Sequence, residues 1–195
     1  FFSYIFHPIF IPMFGTLFYF YCSTFYYTNQ QKYLVLLQIG VVTILIPIAF
    51  FYFLRSFDKL DNAMAPDLSQ RKIPLIFQGM IIYLLLSNTI KESILPELYF
   101  YLLGGLISTF ILLLLLFLKI KASIHLVGIS TLTVFVGALS LHYEVNVIYS
   151  FAFLVVLNGL VATSRLELKA HTYNEILFGF FTGLLPQLAL TYLWL

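Results

Sequence analysis

The chain has 195 residues, of which 62% are hydrophobic and 9% charged, with a formal net charge of +2 and a mean hydropathy of +1.00. Soluble domains carry about 25% charged residues, so this composition predicts a polytopic membrane protein and leaves no polar stretch long enough for a separate soluble domain. A net charge this small excludes nucleic acid as a partner, and the lone cysteine, Cys22, excludes an internal disulfide.

The opening stretch lacks a basic n-region and a small-residue cleavage site, so it does not read as a signal peptide. Seven apolar segments follow, against the roughly 17–25 residues a spanning helix needs. They are read at 8–27, 33–54, 74–90, 97–118, 124–141, 147–163 and 173–195. The first is crowded with Tyr and Phe, as at a membrane interface. A polar turn, Thr28 to Lys32, separates it from the second. Pro74 marks the start of the third, where its missing N–H costs nothing. The stretches 91–97 and 142–146 make the next polar turns. Pro12, Pro47 and Pro186 fall inside segments and predict kinks. Ser87, Asn88 and Asn158 lie within spans and are expected to hydrogen-bond between helices. Gly104-Gly105 and the Gly179/Gly183 pair allow close helix packing. The runs are continuous rather than alternating, so helices are expected and not barrel strands. The expected fold is all-α, one integral-membrane helical bundle over residues 1–195 with about seven spans.

Seven spans sort the loops onto two faces. One carries eight of the ten Lys and Arg residues: Arg55, Lys59, Arg71, Lys72, Lys119, Lys121, Arg165 and Lys169. The other carries Lys32 and Lys91 with Glu92, Glu97 and Glu144. The positive-inside rule would place the basic face in the cytoplasm. Discounting Arg71, Lys72, Lys121 and Arg165 as anion ligands leaves four against two, which does not orient the chain.

Three clusters converge on the basic face. The first is Ser69-Gln70-Arg71-Lys72-Ile73-Pro74, the second Lys121-Ala122-Ser123-Ile124-His125 with Gly128 beyond it. The third is Ser164-Arg165 followed by His171 and Glu175. His171, Glu175, Gly179 and Gly183 recur every four residues and so form one stripe on a helix. A carboxylate one turn from an imidazole fixes its tautomer and raises its basicity. Ionisable residues between strongly apolar segments are costly and mark a functional site. Cations and helix N-termini beside two imidazoles suit phosphoryl transfer. His7 and His142 read as interfacial residues, and Glu167 as a solvated loop residue.

These residues resemble the type 2 phosphatidic acid phosphatase superfamily of membrane lipid phosphatases. Its third motif is Ser-Arg, five residues, His, three residues, Asp. Ser164, Arg165, His171 and Glu175 stand at that spacing, with Glu in place of Asp. The second motif, Pro-Ser-Gly-His, corresponds to Ala122-Ser123-Ile124-His125. The first, Lys, six residues, Arg-Pro, is absent as such. Arg71-Lys72-Ile73-Pro74 is a loose counterpart, with Lys119 or Lys121 an alternative source of the missing cation. The second and third motifs are separated by two spans, as in the superfamily. The resemblance covers roughly residues 69–183.

The resemblance implies a six-helix core and an activity that removes phosphate from a lipid phosphate or prenyl diphosphate. It implies His171 as nucleophile, Glu175 as its orienting carboxylate and His125 as the acid to the leaving group. Arg165, Ser123, Ser164, Arg71, Lys72 and Lys121 would bind phosphate. No cofactor and no metal are implied, and the bilayer and the lipid substrate are the partners. The expected location is a bacterial cytoplasmic membrane. Two alternatives stay open. One is a catalytically inactive relative that binds an anionic headgroup or serves as a membrane subunit. The other, weaker, is a transporter or haem protein using His125 and His171.

Overall fold

The computed structural model of the chain describes residues 5–57 and 68–195. Lys59, and the side chain of Ser69, lie outside what is described. Seven helices and no strand occur among the described residues. They are α1 (Ile11–Cys22), α2 (Asn29–Ser56), α3 (Leu68–Asn88), α4 (Pro96–Phe117), α5 (Ile124–His142), α6 (Ile148–Glu167) and α7 (Tyr173–Thr191).

Four of these, α2, α4, α5 and α6, are long and apolar enough to cross a membrane. The seven helices match the seven predicted segments, but length and composition support crossing for only four. Helix α1 has 12 residues, about 18 Å at 1.5 Å per residue, short of a hydrocarbon core of about 30 Å. Helices α3 and α7 are long enough, but α3 carries Arg71 and Lys72, and α7 carries Asn174, Glu175 and Gln187. The outward surface is apolar, with Leu114, Phe117, Val156, Phe181 and Leu185 all exposed, as suits a hydrocarbon solvent.

Local chemistry explains most of the boundaries. Thr28 accepts from the Gln31 backbone N–H while the Gln31 side chain accepts from the Thr28 backbone N–H, a reciprocal cap that starts α2. Within α2 a π turn at Val41–Leu45 runs up to Pro47, whose ring and missing N–H disturb the preceding turn. Two proline expectations change. Pro12 lies in the first turn of α1, where it is tolerated, rather than mid-span. Pro74 lies inside α3, because that helix begins six residues earlier than its apolar run. The earlier start brings Arg71 into the helix.

The core lies where α5 packs against α1, α4, α6 and α7. Ile129, Phe135, Val136 and Leu139 of α5 have no exposed surface. Phe135 stacks on Tyr101 of α4 with ring centroids 4.2 Å apart, and the Tyr101 hydroxyl donates to the Ile11 carbonyl at 2.8 Å. Small polar side chains join the helices. Ser108 Oγ donates to the Thr182 carbonyl at 2.9 Å, Thr131 Oγ1 to the Gly183 carbonyl at 3.2 Å, and Asn158 Nδ2 to Thr133 Oγ1 at 2.8 Å. Asn158 thus links helices as expected. Ser87 and Asn88 instead donate to Leu84 O in their own helix, because they sit at the exposed end of α3.

Candidate functional site

The head of α5 and the head of α7 are stitched together by backbone. The Ser123 N–H donates to the Glu175 carbonyl at 3.0 Å. One turn further along α7, Gly179 lets the helices touch: a Cβ there would stand 2.5 Å from Ser123 O. Gly183 repeats the device against Val127 O. The glycine half of the four-residue stripe is therefore a packing surface. It places the other half, His171 and Glu175, beside the start of α5.

Both loops entering the site use the same turn. Lys119 and Lys169 adopt left-handed backbone at φ 62° and 50°. The Ile120 N–H reaches back to Leu115 O at 2.8 Å and the Ala170 N–H to Arg165 O at 3.1 Å, each closing a helix C-terminus. Lysine in place of the usual glycine carries a steric cost at each turn. The sharp exits deliver Lys121 and His171 to the site within two residues.

His171 is buried, and its Nδ1 lies 2.7 Å from Glu175 Oε2 across one helical turn. Thr172 caps α7, its Oγ1 accepting from the Glu175 N–H at 3.4 Å. Lys121 Nζ donates to the Ala170 carbonyl at 2.9 Å and stands 3.9 Å from Glu175 Oε2. Arg71 is buried and donates from its guanidinium to the Ala122 carbonyl at 3.2 Å. Arg165 is buried at the last turn of α6. Ser123 has no exposed surface, and its Oγ finds no hydrogen-bond partner among the described residues. His125, also buried, meets His7 edge-on with ring centroids 5.3 Å apart.

Burial holds the His171 imidazole below its ordinary range; the hydrogen bond it donates to Glu175 opposes this, and the charges of Arg71, Arg165 and Lys121 add to it. Burial, then the charge of Arg165, lowers His7 likewise. A neutral His171 with Nδ1–H held by a carboxylate leaves the Nε2 lone pair free to act as a nucleophile.

Most sequence candidates therefore gather at one end of the bundle: His171, Glu175, Arg165, Arg71, Lys121, Ser123 and His125. Ser164 is half-buried, one residue before Arg165 at the end of α6. Lys72 goes elsewhere, its Nζ exposed over the Phe117 ring at 5.4 Å. A single residue of rotation along α3 separates it from the buried Arg71. His7, read from the sequence as an interfacial residue, packs on His125 and so joins the site's edge. His7-Pro8 was the available signal. His7 caps the turn Pro8–Phe10, its Nδ1 accepting from the Ile9 N–H at 3.4 Å. Comparison with known protein families, with curated proteins and with solved structures finds no match to this chain.

The lowered imidazoles predict a pH dependence of stability. Below the ordinary value of 6.5 the unfolded chain takes up protons that folded His171 and His7 refuse. Their contribution is full above pH 6.5 and is lost as pH falls below it. The melting temperature in detergent should fall on acidification from that point, with a shallower slope in His171→Gln. An identical slope in that variant would rule out a neutral buried His171.

Proposed function

We propose that the chain is an integral-membrane phosphatase that removes phosphate from a lipid phosphate or prenyl diphosphate through a phospho-histidine. The observation that carries this reading is the 2.7 Å contact between His171 and Glu175 with Arg165, Arg71 and Lys121 acting on the same imidazole.

His171 Nε2 attacks phosphorus, and the bond from phosphorus to the leaving oxygen breaks. Protonated His125 gives its proton to that oxygen and becomes neutral. Water then attacks the phospho-histidine, its proton passing to His125, and inorganic phosphate leaves as the P–N bond breaks. Arg165, Arg71 and Lys121 offset the charge on the phosphoryl oxygens, and Ser123 Oγ supplies a further donor. Glu175 holds the Nδ1 proton and offsets the positive charge that the ring acquires.

The test is release of inorganic phosphate from phosphatidate, lysophosphatidate and prenyl diphosphates by the purified chain in detergent. Release from at least one, reduced roughly 10²- to 10⁴-fold in His125→Ala, is expected. Release from none would sink the enzymatic reading.

A second reading, an inactive protein that binds an anionic headgroup, has one observation in its favour. Ala122 and Ile124 help close the space beside Arg71 to about 10 Å³, room for one water molecule at most. It predicts retention of the same lipids without turnover.

A further inference from the structure

At the far end of the bundle lies a second polar group that the phosphate chemistry does not use. His142 ends α5 and is 17 residues from His125, so roughly 26 Å of helix separates the two ends. Here an open cavity of about 860 Å³ is lined by Glu97, His142 and Trp194, with Phe25, Tyr99 and Phe100 among its walls.

Glu97, in the first turn of α4, is 2% exposed. Its Oε1 accepts from the Tyr143 hydroxyl at 2.6 Å and lies 3.3 Å from His142 Nε2. Its Oε2 finds no partner among the described residues. Burial, and then the bond to Glu97, raises the Tyr143 phenol, which therefore stays a donor. Trp194 is 9% exposed, and its indole N–H is likewise without a partner among the described residues. A buried carboxylate and a buried indole N–H each carry a desolvation cost until something bonds them. The two residues line the same cavity, and their unmet groups are opposite in sign: one needs a cation or donor, the other an acceptor.

The other charges leave that demand standing. Lys91 is exposed and turned back onto the Ser87 carbonyl at the end of α3. Glu92, also exposed, balances it at the rim. Among the described residues no group of three His, Cys, Asp or Glu side chains could hold a metal ion. Aromatic faces beside a carboxylate suit an organic cation instead.

We propose that this cavity binds an organic ammonium group, with Glu97 as its counter-ion and the Trp194 ring as a cation–π face. An oxygen on the carbon chain next to the ammonium would accept from the Trp194 N–H. The ligand is a free amino alcohol or the same group on a lipid.

Trp194 is the only tryptophan in the chain, so its fluorescence reads the site directly. The full chain in maltoside detergent is titrated with choline, with ethanolamine and with 3,3-dimethylbutan-1-ol, the uncharged isostere of choline. A saturable emission change with choline or ethanolamine, none with the isostere, and binding at least ten-fold weaker in Glu97→Gln are expected. Short-chain phosphatidylcholine and phosphatidylethanolamine distinguish the sources. Binding ten-fold tighter than the free amine assigns a lipid headgroup, and equal or weaker binding assigns the free amine. No change with any ammonium compound, or the same change with the isostere, overturns the proposal, as does unaltered affinity in Glu97→Gln. Should that variant not fold, the comparison of choline with its isostere on the unaltered chain decides.

Discussion

Replacing His171 with alanine is expected to lower phosphate release from the best lipid substrate by a factor on the order of 10⁴ or more, since the proposed covalent intermediate forms on its ring. The same change should abolish a phosphoenzyme that survives alkali and is lost in acid. The ring is buried, so truncation also leaves a cavity. His171→Gln retains most of the volume and can hydrogen-bond Glu175, but its amide is not a nucleophile. Loss of turnover in both variants, with the glutamine form melting near the parent, assigns the loss to chemistry rather than to packing. Release within ten-fold of the parent in either variant would remove His171 from the nucleophile's place. A leaving group that needs no proton, such as p-nitrophenolate, should narrow the defect of His125→Ala and leave that of His171→Ala as large as before.

The second large effect is expected at a residue with no side chain, one turn from Glu175. Gly179→Ala would put a methyl group 2.5 Å from Ser123 O and 2.9 Å from Ser123 N. Those atoms are backbone, and the Ser123 N–H is held by Glu175 O, so neither can step aside cheaply. Overpacking of this kind costs about 1–3 kcal/mol, and the strain falls on the contact that seats His171 beside α5. A lower melting temperature together with a loss of phosphate release is the expected outcome, whereas Gly159→Ala, whose Cβ meets nothing within 4 Å, should change neither. Parent-like melting and turnover in Gly179→Ala would show that the α5–α7 contact does not set the site.

The pattern of apolar runs made the helices legible, because residues that must avoid water mark their own segments whatever they pack against. It misled at proline. Pro74 looked like a helix start, yet α3 begins at Leu68, where polar residues form helix without an apolar signal. Length also misled at α1, since its aromatic run continues past Cys22 into the extended backbone at Ser23. Within the candidate site, the spacing from Ser164 to Gly183 was readable because helical neighbours recur at fixed intervals. His171 and Glu175 meet across one turn as that interval requires.

Other pairings had no sequence signal of that kind. Arg71 and Ala122 are 51 residues apart, and Glu97 and Tyr143 are 46 apart. Which of Arg71 and Lys72 turns inward depends on the rotation of α3, which its contacts with α4 fix and its own composition does not. His7 reaches His125 because the first turn lies against α5. Glu97 looked like a turn residue and instead meets Tyr143 and His142 at the wall of the far cavity, where helix ends come together. Local periodicity therefore determined the helices and the four-residue stripe by itself. The two polar sites were decided only by tertiary packing, because side chains distant in sequence become neighbours only once the helices have fixed rotations and heights.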